Sequence, residues 1–142
     1  MNRYRTYREF CEKKFGGQVL KLPIDAGFTC PNRDGTVGQN GCTYCINSAF
    51  TPRYCSSAKS IRQQIEDGIE FHKQRGRKSD QYLAYFQSFS NTYANLDKLK
   101  AIYAEALEHP LIRGIVVGTR PDCVDEEKLD FFAALQKQCF VS

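Results

Sequence analysis

Strand-length apolar runs alternate with amphipathic helical segments at intervals of about thirty residues, and this alternation restricts the fold more than any other feature of the chain. The segments "QVLKLPID" (18–25), "QYLAYFQSF" (81–89) and "LIRGIVVGT" (111–119) read as strands, and "CFVS" (139–142) opens a further one. Between them, "SIRQQIEDGIEFHKQR" places Ile61, Ile65 and Ile69 four apart, with Phe71 near the same face and cations in the last turn. "NLDKLKAIYAEALEHP" has Asn95 as N-cap, Leu96, Leu99, Tyr103 and Leu107 on one side, and Pro110 as a stop. "DEEKLDFFAALQKQ" carries acids in its first turn and predicts Leu129, Phe132, Ala133 and Leu135 facing inward.

Strands that alternate with helices in this way imply right-handed βαβ units around a parallel sheet, so the expected class is α/β. The chain ends where a fourth strand begins. A parallel sheet cut there leaves an edge and an apolar face uncovered, which makes a truncated fold the expectation. Ahead of the first strand, "MNRYRTYREFCEKKFGG" has Tyr4, Tyr7, Phe10 and Phe15 at helical spacing. The expected division is a helical extension over 1–17 and a core over 18–142.

With 142 residues, 42% of them apolar, the chain suits one domain with a real core, and no apolar run approaches the ~20 residues that span a bilayer. The polar, basic N-terminus lacks the apolar centre of a secretory signal. Seven unevenly spaced cysteines fit free thiols or metal ligands in a reducing, cytoplasmic setting better than a disulfide framework. The net charge of +4 is modest, and the basic clusters Arg3, Arg5, Arg8, Lys13, Lys14 and Lys73, Arg75, Arg77, Lys78 read first as solvated faces and second as phosphate contacts.

The chemistry concentrates in "FTCPNRDGTVGQNGCTYCINSAF" (28–50), a loop rich in Gly, Asn, Asp and Pro that follows the first strand. Loops at the C-terminal ends of strands are where α/β folds place ligands. Cys30, Cys42 and Cys45 follow C-x11-C-x2-C with no histidine nearby. A structural zinc site closes with four ligands and would have to recruit Cys55 or Cys11, giving a non-catalytic zinc-binding module with possible RNA contact. Three thiolates also suit a four-iron cluster with one iron left free. Cys123, Cys139, His72 and His109 read as packing or helix-end residues.

The pair "CTYC", with Tyr44 at its centre, in the loop after the first strand of an α/β chain resembles the radical S-adenosylmethionine (radical SAM) superfamily. More narrowly, "KLPIDAGFTCPNRDGTVGQNGCTYCINSAF" and "VVGTRPDCVDEEKLDFF" resemble the YhcC-like subfamily and, more distantly, the catalytic subunit of Elongator. The resemblance implies the N-terminal portion of a partial (β/α) barrel and an enzyme holding a 4Fe-4S cluster on Cys30, Cys42 and Cys45. It also implies S-adenosylmethionine on the fourth iron, cleaved reductively to a 5′-deoxyadenosyl radical. The commonest superfamily spacing is C-x3-C-x2-C, so the eleven-residue first gap departs from it.

Tyr44 would pack near the adenine. The superfamily's Gly-Glu pair after the second strand is replaced by "YFQSFSNTYA", so Gln87, Ser88, Ser90 or Asn91 would supply those hydrogen bonds. After the third strand, "GTRPD" brings Thr119, Arg120 and Asp122 to the same side, with Arg120 expected to pair with the cofactor carboxylate. An external electron donor such as flavodoxin or ferredoxin is implied. tRNA as a partner follows only from the Elongator likeness and the mild positive charge.

Overall fold

The structure is a computed structural model that describes residues 3–142; Met1 and Asn2, part of the expected N-terminal extension, lie outside the described residues. Four strands form one sheet in the order β1-β2-β3-β4: β1 (Leu20–Ile24), β2 (Tyr82–Phe86), β3 (Ile112–Val117) and β4 (Phe140–Val141). Every neighbouring pair is parallel. The helices are α1 (Tyr7–Phe15), α2 (Ile61–Gln74), α3 (Leu96–Leu107) and α4 (Glu126–Gln136). The α/β reading is therefore met, and the strand order follows chain order with no reversal. A doubly wound sheet would have a switch point, whereas sheets that curl into barrels add strands in sequence.

Local chemistry accounts for the helix starts. Ser60, Asn95 and Asp125 each accept a backbone N–H from the third residue onward, and Thr6 and Glu9 form a reciprocal capping box. The stripe Ile61, Ile65, Ile69 of α2 and Leu99, Tyr103, Ala106 of α3 pack on one face of the sheet, against Leu22, Ile24, Tyr82, Ala84, Phe86, Ile112 and Ile115. Of the aromatic residues of β2, Tyr82 and Phe86 are buried in the core and Tyr85 is half-buried. At the end of the sheet opposite the cysteine loop, Phe10 and Phe15 of α1 meet Phe140, with ring centroids 6.0 and 5.3 Å apart.

The second strand is shorter than its apolar run suggests. The Phe86 carbonyl still makes a ladder bond to the Gly118 N–H at 2.7 Å, and beyond it Phe89 adopts a left-handed φ of 68° that no strand can continue through. The inward face of α4 also differs from expectation. Phe131, Phe132 and Leu135 pack against the core, while Leu129 and Ala133 are exposed. The reason is position: α4 lies at the β4 end of the sheet and meets the core through the Tyr103 ring, 6.5 and 5.6 Å from Phe131 and Phe132, so only a narrow stripe is covered.

Candidate functional site

The three loops that leave the C-terminal ends of β1, β2 and β3 enclose one cavity of about 160 Å³. From the first loop come Cys30, Asn32, Arg33, Gly41, Cys42, Tyr44 and Cys45; from the second, Phe89 and Ser90; from the third, Thr119 and Arg120. Sequence separations of up to ninety residues close here because parallel strands in register deliver their following loops to one edge.

The backbone of the cysteine loop explains its unusual length. The Gly41 N–H donates to the Asn32 carbonyl at 2.8 Å, which ties off residues 33–40 as a closed excursion. Inside it, the Val37 and Gly38 amides reach the Pro31 carbonyl at 2.8 and 3.1 Å, and the Arg33 and Asp34 amides reach the Cys30 carbonyl at 2.8 and 3.1 Å. Along the short path across the Asn32–Gly41 bond, only Pro31, Asn32 and Gly41 separate Cys30 from Cys42. In space the motif is therefore C-x3-C-x2-C. Gly41 has a φ of +72°, a conformation that calls for glycine, and a Cβ there would lie 2.9 Å from the Arg33 guanidinium, which would have to shift.

Side chains finish the closure. Asn32 Nδ2 donates to Cys42 Sγ at 3.1 Å, and Arg33 Nη2 donates to the Cys45 carbonyl at 2.9 Å while its guanidinium lies 5.7 Å from the Phe89 ring centre. The excursion also touches the second loop, through Thr36 Oγ1 and the Tyr93 hydroxyl at 3.0 Å. The amide of Asn32, then the Tyr44 hydroxyl, hold the Cys42 thiol below its usual range, and the Arg120 and Arg33 cations act in the same direction. Thiolate is the form in which a cysteine binds a metal.

Among the described residues no three His, Cys, Asp or Glu side chains converge closely enough to hold a single ion. A structural zinc requires such convergence on one centre, whereas a four-iron cluster takes each thiolate on a different iron and needs thiols spaced around a hollow. Cys55, the fourth ligand a zinc site would recruit, does not line the cavity: its Sγ donates to the Pro23 carbonyl at 3.0 Å, and burial pushes its thiol up to about 12. Cys11 lies on α1, buried. Cys30, Cys42 and Cys45 all line the cavity.

The remaining expected residues divide. Tyr44 stands at the rim, 86% exposed, and Thr119 and Arg120 line the wall. Arg120 is already engaged in a two-pronged ion pair with Asp122, Nε to Oδ1 at 2.8 Å and Nη2 to Oδ2 at 2.6 Å, which raises its pKa, with Cys30 a smaller contributor. Of the four residues expected from the second loop, Ser90 alone lines the cavity; its hydroxyl is buried without a hydrogen-bond partner among the described residues. Asn91 instead braces the fold, with Nδ2 donating to the carbonyls of Phe86, Ser88 and Gly118 at 3.1, 3.1 and 2.8 Å. Ser88 pairs with the Thr51 hydroxyl at 3.1 Å, and Gln87 lies outside the lining. Asn32, Arg33 and Phe89 were not singled out by the sequence. The first two sit inside the quoted "CPNRDG", but nothing in their spacing signals a bond to a cysteine ten or twelve residues on.

The fold and site define an α/β chain with a sequentially ordered parallel sheet and a cysteine-lined cavity at the C-terminal strand ends. The chain is similar to "Protein YhcC" of Escherichia coli K12, at 37% identity over 126 residues, 89% of this chain and 39% of that protein. It is similar to "Uncharacterized protein YtqA" of Bacillus subtilis, at 34% over 139 residues, 98% of this chain and 43% of that protein. The archaeal "Uncharacterized protein MJ0486" of Methanocaldococcus jannaschii matches at 34% over 132 residues, 92% of this chain and 39% of that protein. The chain thus spans about two fifths of the length of these curated relatives. No family model matches the chain, and no solved structure matches it. No helix among the described residues is long and apolar enough to cross a membrane.

Proposed function

We propose that this chain is the N-terminal part of a radical SAM (β/α) barrel that carries a 4Fe-4S cluster on Cys30, Cys42 and Cys45 and binds S-adenosylmethionine at the remaining iron. One observation carries the reading: the Gly41–Asn32 bond converts an eleven-residue gap into a spatial C-x3-C-x2-C, the spacing commonest in the resembled superfamily. When bound, the cluster supplies the electron that cleaves S-adenosylmethionine to methionine and a 5′-deoxyadenosyl radical.

The protein's own contribution is orientation and electrostatics. Arg33 and Arg120 place two cations beside thiolates whose negative charge would otherwise repel. Asp122 holds the Arg120 fork in place, so its remaining nitrogen can meet a carboxylate without losing side-chain freedom on binding. Ser90, with a buried hydroxyl facing the cavity and no partner among the described residues, is suited to accept the amino group of the methionyl moiety. Tyr44 offers an exposed ring at the rim for the adenine. The reading brings with it an external electron donor such as flavodoxin or ferredoxin and, from the Elongator likeness, RNA as a substrate class. Salt-dependent retention of RNA by the protein tests that class.

The activity test is anaerobic reconstitution with iron and sulfide, reduction, and addition of S-adenosylmethionine. The proposal expects 5′-deoxyadenosine from the native protein and none from Cys42→Ala. Absence of the nucleoside from a fully loaded, reduced protein counts against it.

A further inference from the structure

The three thiols of the cavity are not equivalent in their surroundings. Cys30 has the Arg120 cation beside it. Cys45 Sγ faces an acceptor, the Asn47 Oδ1 at 3.5 Å, and the Arg33 fork reaches its carbonyl rather than its sulfur. Cys42 alone among the described residues has a side-chain amide aimed at its sulfur, the Asn32 Nδ2 at 3.1 Å. Asn32 is pinned on both sides: its carbonyl accepts from Gly41 at 2.8 Å, and the preceding Pro31 is buried and accepts two amides of the excursion. A half-buried amide held this way has lost its freedom before any metal arrives.

From this geometry, and resting on the proposed cluster, we infer that Asn32 is a positioning residue whose side-chain N–H to the Cys42 sulfur sets how readily the metal centre takes an electron. Hydrogen bonds to ligand sulfurs stabilise the more negative, reduced state, so they raise the reduction potential. The amides of Arg33, Asp34, Val37, Gly38 and Gly41 go to the carbonyls of Cys30, Pro31 and Asn32 in closing the excursion, and none of them reaches the sulfur. The side chain supplies the donor instead, which places the tuning in a residue that can vary independently of the loop's path.

The test is spectroelectrochemical titration of the reconstituted protein, native against Asn32→Leu and Asn32→Ser, with iron and sulfide measured on each sample. Leu keeps the volume and removes the donor; Ser is too short to reach the sulfur. Both variants are expected to hold native amounts of iron and to become harder to reduce by about tenfold in the reduction equilibrium, which is about 59 mV for one electron. An unchanged potential in a loaded variant overturns the inference while leaving the proposed function standing. Loss of iron from both variants in a still folded protein also overturns it, since Asn32 would then serve assembly and not potential. Failure of the native protein to take up a cluster sinks the proposed function itself, and this inference with it.

Discussion

The Gly41 amide and the Asn32 carbonyl, 2.8 Å apart, make residues 33–40 a side excursion from the path that joins Cys30 to Cys42. A variant lacking residues 33–40, with Asn32 joined directly to Gly41, is therefore expected to bind iron in native stoichiometry after anaerobic reconstitution. It gives up the Arg33 bond to the Cys45 carbonyl and the Thr36 link to the neighbouring loop and should melt somewhat lower. Complete loss of iron from a folded deletion variant would show that the excursion is part of the ligand geometry.

Gly41 should resist substitution more than its place in a surface loop suggests. An alanine there adopts a left-handed conformation at a cost of about 1–2 kcal/mol. Its Cβ would also meet the Arg33 guanidinium at 2.9 Å, displacing the bond to the Cys45 carbonyl. Gly41→Ala is expected to lower stability to chemical denaturant; an unchanged denaturant midpoint would mean that neither the left-handed turn nor the Arg33 contact matters to the fold.

Thiol identity separates ligands from packing. Replacing Cys30, Cys42 or Cys45 by Ala should abolish iron binding, while Cys55→Ala and Cys123→Ala should leave it intact, because Cys55 is bonded to Pro23 and Cys123 is buried outside the cavity lining. Equal iron loss across all five would show that the wrong thiols have been assigned.

Gln64 gives a stability prediction that the sequence concealed. It is fully buried, and its amide clamps the Asp25 backbone, accepting from the N–H at 2.9 Å and donating to the carbonyl at 2.9 Å. This fixes the point where β1 gives way to the cysteine loop. Gln64→Leu leaves both backbone groups without their partner and is expected to cost about 2–3 kcal/mol in denaturant unfolding, with reduced iron uptake. A change within about 0.5 kcal/mol would contradict the clamp.

Burial raises the pKa of Cys55 to about 12 and raises that of its neighbour Tyr54 as well. Ionisation therefore favours the unfolded chain, in which a cysteine titrates near about 8.5. The contribution is fully present below that value and is lost as pH rises from there toward about 12. Denaturant midpoints of the metal-free protein should fall from about pH 8 to about pH 10, and Cys55→Ala should flatten part of that slope. A midpoint independent of pH over this range would place Cys55 in solvent.

The sequence carried the elements and their order because they rest on local signals: isoleucines four apart in α2, the Asn95 cap of α3, the β-branched run of β3. It also carried seven of the residues that line the cavity, Cys30, Cys42, Tyr44, Cys45, Ser90, Thr119 and Arg120, which lie in loops that follow strands. It did not carry what depends on long-range closure. Asn91 reads as a ligand and becomes a brace through bonds to Phe86 and Gly118, and Arg33, which no sequence signal marks, is a latch on Cys45. The outward turn of Leu129 is equally invisible, since helical periodicity says that a face is apolar without saying how much of it a neighbour covers.

The most direct measurement of the central claim is Mössbauer and EPR spectroscopy of the anaerobically reconstituted native protein, with and without S-adenosylmethionine. The account predicts a 4Fe-4S centre in which one iron is distinct from the other three, and a reduced-state signal that shifts when the cofactor is added. A colourless protein retaining one zinc, or a cluster whose spectrum ignores S-adenosylmethionine, would contradict it.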